Sequence, residues 1–170
     1  MSLLTRKLTA ITVLIALILT VFPAVSGFAA VSDVSFEFEA EKYIVSEGNV
    51  EEFSDALASG STSLKGINTK NNAPEASSAA DVSFGFEVES RDTFTLWFRG
   101  KVPGSSGDSV WISIDSNEYV SRFMSETGDD YKWFAFSTET LSLGTHSMNI
   151  IFREPESYHD KVLITSDNSY

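Results

Sequence analysis

The sequence predicts an antiparallel β-sandwich, and three observations support this prediction. Apolar and polar residues alternate with a period of two through most of the chain after residue 33, which is typical of half-buried strands. Long stretches with the 3.6-residue period of a helix are missing from the sequence. Clusters of turn-forming residues separate the alternating stretches, as in sandwiches built from short strands.

Each predicted strand follows from its own residue pattern. In chain order the strands are FEFEAEKY (36–43), VSFGFEV (82–88), TFTLWFRG (93–100), SVWISID (109–115), YKWFAF (131–136), HSMNIIFR (146–153) and an aliphatic final strand at 162–164. β-Branched and aromatic residues favour the pleated surface of a sheet. The stretch from about Ser54 to Ala80 is rich in Ser, Ala, Asn and Gly, and it is predicted to be a long loop that is either mobile or ligand-binding.

The first 29 residues have the pattern of a secretory signal peptide. Arg6 and Lys7 precede an uncharged apolar run at 8–22, and small residues follow up to Ala29, which is the order of such signals. The apolar run is shorter than the roughly 18 to 20 residues of a spanning helix, which argues against a retained membrane anchor. The sequence therefore predicts a secreted, extracellular protein with a single domain at 30–170.

The predicted mature chain is strongly acidic. Without Arg6 and Lys7, 10 of the 12 basic residues remain against 24 acidic ones, a formal charge of −14. Such a field repels phosphate backbones and anionic lipids, so neither nucleic acid nor a membrane is an expected partner. Neutral ligands and hard cations such as calcium are compatible with it. The simpler alternative is that the charge only keeps an extracellular protein soluble.

Cysteine is absent from the chain. A secreted domain without disulfides must rely on its packed core, on a bound metal, or on both. Thiol nucleophiles and cysteine-ligated zinc sites are excluded by the same absence. His146 and His159 are the only histidines, too few for an imidazole-rich metal site.

Acidic residues alternate with apolar ones at the start of the predicted domain. Phe36 and Phe38 fall on one face of the predicted strand, and Glu37, Glu39 and Glu41 fall on the other. Carboxylates two residues apart lie roughly 6 to 7 Å apart along a strand. Both can therefore reach one calcium ion, which accepts about 6 to 8 oxygens. The alternative is a solvated edge strand whose charges prevent pairing with another chain.

An ordered set of short motifs spans nearly the whole predicted domain. The motifs are Glu39-Ala40-Glu41, Ala58-Ser59-Gly60, DVSFGFEVESRDTFTLWFRG (81–100), Gly107-Asp108-Ser109 opening a strand that ends in Asp115, Trp133, Leu143-Gly144-Thr145-His146, and Arg153-Glu154 with Asp160-Lys161-Val162. In this order and at these spacings the sequence closely resembles the carbohydrate-binding modules of families 6 and 35. The resemblance implies a galactose-binding-like jelly roll that binds a polysaccharide or oligosaccharide without catalysis.

The resemblance also implies a structural calcium ion. In that family the opening acidic pair meets an acid at the start of the last strand, because the first and last strands lie side by side. The implied ligands are Glu39, Glu41 and Asp160, with carbonyl groups from the loop near residues 59–63. An ion joining the two ends of the domain would close the largest loop available. The alternative is that Asp160 only caps a turn.

Sugar binding needs aromatic rings that lie against a pyranose and a few polar groups that hold its hydroxyls. The family places these groups in loops at one end of the sandwich, with a second possible surface on a sheet face. The resemblance maps one stacking ring to the stretch Tyr131-Lys132-Trp133, in which Tyr131 is the better candidate and Trp133 is better assigned to the core. Related modules often have an asparagine two residues before the final-strand acid, where this chain has Tyr158. Tyr158 and His159 either form a different sugar platform or are exposed loop residues.

The three tryptophans receive separate interpretations. Alternation puts Trp111 on the strand face that it shares with Ser109 and Ser113, which fits either a glycan-binding face or packing beneath a loop. Trp97 and Trp133 are predicted to be structural.

Catalysis is not expected from this sequence. Glycoside hydrolysis needs two carboxylates about 5 to 9.5 Å apart across a cleft, and almost any acidic strand offers such spacing. A GxSxG motif is absent, which removes that route to a serine nucleophile. The prediction is a monomeric, calcium-containing, secreted carbohydrate-binding module, with a separate glycan-active enzyme as a potential partner. The alternative is an extracellular adhesion or assembly module of the same fold with a lost or altered sugar site.

Overall fold

The structure is a computed structural model that describes residues 33–45, 48–104, 107–115, 117–167 and 169–170. The predicted signal peptide lies outside the described residues. Two short 3₁₀ helices, Ala40–Tyr43 and Ser59–Ser61, accompany the strands. The strands of the described region are β1 (Ser35–Glu39), β2 (Val50–Ser54), β3 (Thr62–Gly66), β4 (Val82–Val88), β5 (Asp92–Val102), β6 (Ser109–Ile114), β7 (Val120–Phe123), β8 (Gly128–Leu141), β9 (Gly144–Phe152) and β10 (Tyr158–Thr165).

These strands form two antiparallel sheets, which confirms the predicted β-sandwich. Sheet A has the order β2-β3-β10-β5-β8, and β1 also pairs with β10. Sheet B has the order β4-β9-β6-β7. Apolar side chains from both sheets form one buried core between them, as the packing of two sheets face to face requires.

Alternation along the strands decides which residues enter this core. On β5, Phe94, Leu96 and Phe98 are buried, and the residues between them are only partly buried. Phe98 stacks on Phe136 of the neighbouring β8, with ring centres 4.3 Å apart. Full burial of such a side chain contributes about 1.5 to 3 kcal/mol. The pattern seen in the sequence therefore sets both the core and the outward face of sheet A.

Three strands lie where the sequence predicted none, namely β2, β3 and β7. The predicted long loop at 54–80 is interrupted by β3, which pairs with β2 from Val50↔Gly66 to Ser54↔Thr62. Leu64 of β3 is fully buried, and this burial stabilises a segment whose small polar residues suggested a loop. The remaining residues, 67–80, contain no strand.

The last strand starts before its aliphatic residues, at Tyr158. Tyr158 and His159 pair with β3 on one side and with β5 on the other, so this part of the chain lies in the middle of sheet A. A Cβ built on Gly100 would lie 2.5 Å from the carbonyl oxygen of Tyr158. Glycine at that position therefore lets β10 lie close to β5, where a larger residue would clash.

Candidate functional site

The first and last strands lie side by side, as predicted. β1 pairs with β10 from Ser35↔Thr165 to Glu39↔Lys161. The strand predicted at 36–43 is shorter than expected, because the chain turns into a 3₁₀ helix at Ala40, whose side chain is buried. Glu41 therefore lies on this turn and does not share a strand face with Glu39.

Asp160 is the extra residue of a β-bulge. His159 pairs with Gly100 and Lys161 pairs with Arg99, so the register between β10 and β5 shifts at Asp160, which redirects its side chain. The carboxylate is fully buried; it accepts a hydrogen bond from the backbone N–H of Ser59 at 2.9 Å and forms an ion pair with Arg99.

Glu39 is connected to this carboxylate through Ser59, and Glu41 lies near Glu39. The hydroxyl of Ser59 donates to Oε1 of Glu39 at 2.8 Å, and Nζ of Lys161 lies 3.1 Å from the same oxygen. The other oxygen, Oε2, is buried in both Glu39 and Glu41, and neither has a hydrogen-bond partner among the described residues. Burial, and then the charge of Glu39, raises the pKa of Glu41. Ser59 thus links Glu39 to Asp160.

These residues fit a bound cation in part. Two buried, unpartnered carboxylate oxygens are what a hard cation would satisfy. Asp160 is already paired with Arg99, and in the described part of the chain no three acidic or histidine side chains converge closely enough to hold a metal by themselves. An ion at this position would therefore need backbone carbonyls, such as those of the Ser59–Ser61 turn, in its shell.

The structure brings Tyr131 and Tyr158 together, and cations lie over both rings; one of them, the guanidinium of Arg99, is 5.1 Å from the ring centre of Tyr131. Tyr158 is buried, and its hydroxyl donates to Glu156 at 2.9 Å. Tyr131 is half-buried, and burial raises its pKa to about 12. The ammonium group of Lys101 lies over both rings.

His159 lies in the interior, so its prediction as part of an exposed sugar platform is wrong. The ring packs edge-on against Phe98 at 5.8 Å and Phe152 at 4.6 Å between centres. Neither ring nitrogen has a hydrogen-bond partner in the described region, and burial lowers the pKa of His159 to about 3. Both predicted alternatives put His159 outside the core, but β10 already begins at Tyr158, and the bulge at Asp160 turns His159 toward the core.

Trp111 is also covered, which supports the alternative of packing beneath a loop and contradicts its assignment to a sugar-binding face. Its indole N–H donates to the carbonyl of Lys70 at 2.8 Å, and it packs with Tyr119 and Ile151. The hydroxyl of Tyr119 donates to the carbonyl of Ser78 at 3.2 Å. Residues 67–80 therefore cover this part of the outer face of sheet B.

An open groove lies instead on the outer face of sheet A. Its volume is about 410 Å³, and its walls are Glu37, Leu57, Ala58, Ser59, Arg99, Trp133, Lys161 and Tyr170. Tyr170 is 54% exposed, and its ring centre lies 6.0 Å from Trp133 and 5.7 Å from Trp97. The volume is within the range of small-molecule sites, about 300 to 1,000 Å³. We call this cavity the outer groove.

The polar groups of the outer groove are held by ion pairs. Lys161 pairs with Glu37 as well as with Glu39, and hydrogen bonding to Glu37 raises the pKa of Lys161. Arg99 is held by Asp160 and by the carbonyl of Leu57 at 3.3 Å. Donors and acceptors therefore lie at fixed positions beside Trp133 and the exposed ring of Tyr170.

Sequence reasoning missed the outer groove because it assigned Trp97 and Trp133 to structural roles. A usable signal was present: Leu96 and Phe98 are buried beside Trp97, and Phe134 is buried beside Trp133. Strict alternation then places both indoles on the outward face. The contribution of Tyr170 had no comparable signal, since it depends on the path of the chain after β10.

The two-sheet architecture and its strand order define a class of fold, the jelly-roll β-sandwich found in carbohydrate-binding modules. A family 35 carbohydrate-binding module from Clostridium thermocellum superposes with a TM-score of 0.56 over 76% of this chain and 97% of that module, at 15% sequence identity. Neither a family model nor a curated protein matches the sequence.

Two larger enzymes contain a region of the same fold. The first is a GH26-CBM35 β-(1,4)-mannanase from Podospora anserina, with a TM-score of 0.61 and 14% identity over 78% of this chain. The second is a cycloisomaltooligosaccharide glucanotransferase from Paenibacillus sp., with a TM-score of 0.57 and 16% identity over 76% of this chain. The chain covers 28% and 18% of those enzymes. Within the described residues, no helix is long and apolar enough to cross a bilayer.

Proposed function

We propose that the chain is a non-catalytic, secreted carbohydrate-binding module that binds polysaccharide in the outer groove. The observation that supports this proposal most directly is the open cavity of about 410 Å³ lined by Trp133 and Tyr170. The likeness in fold to carbohydrate-binding modules gives independent support.

The chemistry of the outer groove suits a pyranose. The exposed ring of Tyr170 and the indole of Trp133 offer flat apolar surfaces for the C–H face of a sugar. Glu37 can accept hydrogen bonds from hydroxyls, and Arg99 and Lys161 can donate to them. Each charged group already has a partner, so a neutral sugar adds hydrogen bonds without leaving an unpaired charge.

The proposal is tested by binding to a panel of polysaccharides. β-1,4-Mannan, β-1,3-galactan and cycloisomaltoheptaose are suitable probes, because proteins with a similar fold are named for acting on or binding such sugars. Tyr170→Ala should weaken binding, and Phe123→Ala is the matched control, since both side chains are 54% exposed and only Tyr170 lines the outer groove. The proposal fails if no glycan binds, or if both variants bind as the wild type does.

The proposal includes a structural calcium ion held by Glu39, Glu41 and Asp160. It is supported by the two buried carboxylate oxygens that lack partners. A cation there would neutralise the repulsion between Glu39 and Glu41, which helps to raise the pKa of Glu41. It would also fasten β1 to the start of β10 in a chain without disulfides.

Chelation tests the calcium proposal separately from sugar binding. A ligand present at about 100 times its Kd stabilises a protein by about 2.7 kcal/mol, so a chelator should lower the melting temperature by several degrees. Glu41→Gln should reduce this difference. Glu126→Gln should not, because Glu126 is exposed and pairs with Lys132, away from Glu39 and Glu41 in the sequence. An identical melting curve with and without chelator would contradict the proposal.

A second candidate function is an adhesion or assembly module with an altered sugar site. It is favoured by one observation, namely that the predicted rings Tyr131 and Tyr158 are engaged by Lys101. A separate glycan-active enzyme would be a partner if the chain is a carbohydrate-binding module, and not if it is an adhesion or assembly module. Absence of glycan binding by a folded, calcium-loaded protein would support this second function.

A further inference from the structure

Three aromatic rings surround the ammonium group of Lys101. Its Nζ lies 4.9 Å from the ring centre of Tyr158, 5.1 Å from that of Tyr131 and 5.5 Å from that of Phe53. Cations are attracted to the negative face of an aromatic ring when they lie within about 6 Å of its centre. All three rings meet this distance for one and the same cation.

A carboxylate completes the surroundings of this ammonium group. Lys101 forms an ion pair with Asp55, and each side chain is only 12% exposed. Hydrogen bonding from Lys101, followed by the backbone N–H of Leu57, lowers the pKa of Asp55. Three rings and one counter-ion around a nearly desolvated ammonium are the elements of the aromatic cages that bind quaternary ammonium ligands.

Each wall of this arrangement is fixed by a different contact. The hydroxyl of Tyr131 donates to Oγ of Ser63 at 2.8 Å and also lies 3.3 Å from Oδ2 of Asp55. Tyr158 bonds Glu156, and its ring meets the ring of Phe53 edge-on at 4.9 Å. The walls come from β2, β8, β10 and the segment after β2, and β8 and β10 are held by backbone pairing with β5, so their backbone positions do not require the side chain of Lys101.

We propose that Phe53, Asp55, Tyr131 and Tyr158 form a binding cage for an alkylammonium group, and that Lys101 occupies it in the wild-type protein. Lys101 therefore takes the position over the rings of Tyr131 and Tyr158 that a ligand would need. With Lys101 removed, the ligand class that fits is a small alkylammonium ion with Asp55 as its counter-ion. This inference rests on the contacts of Lys101 and is independent of the proposed glycan site.

The occupied cage is tested first in the wild-type protein by NMR. Protons held over the faces of aromatic rings are shifted upfield, so the ε-methylene protons of Lys101 should resonate upfield of those of Lys132. Lys132 is the matched control because it lies on exposed β8 surface and pairs with Glu126. Equal shifts for the two lysines would overturn the proposal.

The binding cage is tested next with tetramethylammonium chloride as the probe. The wild type should not bind it saturably, Lys101→Ala should, and Asp55→Asn added to Lys101→Ala should weaken that binding severalfold. Lys132→Ala should behave as the wild type does. A folded Lys101→Ala variant that gains no binding, or a wild type that binds equally well, would overturn the assignment.

Discussion

The outer faces of the two sheets both carry tryptophan, and they differ in what covers it. On sheet B, Trp111 lies beneath residues 67–80 and bonds the carbonyl of Lys70. On sheet A, Trp133 lines the outer groove together with the exposed ring of Tyr170, which contacts it edge-on. The same residue type at an outward strand position is therefore part of the structure in one sheet and part of a candidate binding surface in the other. Loop coverage, and not strand position, decides the difference.

The largest effect is expected from a substitution of Trp111, the tryptophan that is covered on sheet B. Trp111→Ala removes a buried indole and leaves the carbonyl of Lys70 without its donor, so it should destabilise the protein by about 3 to 5 kcal/mol. Urea unfolding measures the loss. Glycan affinity, measured on the folded fraction below the transition, should remain unchanged; reduced affinity with normal stability would show that Trp111 contacts the ligand.

The second prediction concerns the interior side of sheet A. His159 has a folded pKa of about 3 against about 6.5 when unfolded, so the unfolded state binds the proton first. The stability that neutral His159 contributes to the folded state is fully present above about pH 6.5. As the pH falls below that value, the free energy of unfolding decreases by about 1.4 kcal/mol per pH unit. Between pH 6.5 and about pH 4.5, the free energy of unfolding should therefore decrease by about 2 to 3 kcal/mol less in His159→Leu than in the wild type. Equal pH slopes for the wild type and His159→Leu in urea titrations would contradict this.

The third prediction tests the open side. Trp133→Ala should weaken glycan binding about tenfold, which corresponds to about 1.4 kcal/mol, because it removes one wall of the outer groove. Isothermal titration calorimetry measures the loss. Since Trp133 is half-buried, its stability cost should be smaller than that of Trp111→Ala. Unchanged affinity would place the sugar elsewhere on the domain.

The smallest effect belongs to the histidine of sheet B. Nδ1 of His146 lies 2.6 Å from Asp115 and Nε2 lies 2.9 Å from the carbonyl of Ser142; the latter contact, followed by the former, raises the pKa of His146. The stability that protonated His146 contributes is therefore fully present below the pKa of the histidine in the unfolded chain. It is lost as the pH rises through the higher pKa of the folded protein. His146→Gln should cost about 1 kcal/mol near pH 6 and less above pH 8. A cost that grows with pH in denaturant titrations would contradict the raised pKa.

Much of the fold was predictable from local pattern, and much of the candidate site was not. Alternation identifies the buried residues of β4 and β5 because one face of each strand meets the core. The resemblance correctly placed Glu39 beside the last strand. No local pattern indicates that residues from three separate segments, 53–55, Tyr131 and Tyr158, meet at Lys101, or that a bulge at Asp160 directs His159 inward. Such features depend on long-range pairing, which a single strand does not encode.

The pairing of β1 with β10 also determines how the domain responds to force. Ser35 and Thr165 are register partners at the end of the pair from which both flanking segments leave, and their hydroxyls lie 2.6 Å apart. Tension applied through those segments opens the pair at this end and then peels it toward Glu39 and Lys161, one residue pair at a time. A strand pair loaded in this way unzips and does not shear, so the pairing of Glu39 with Lys161 is the last contact between the two strands to carry the load.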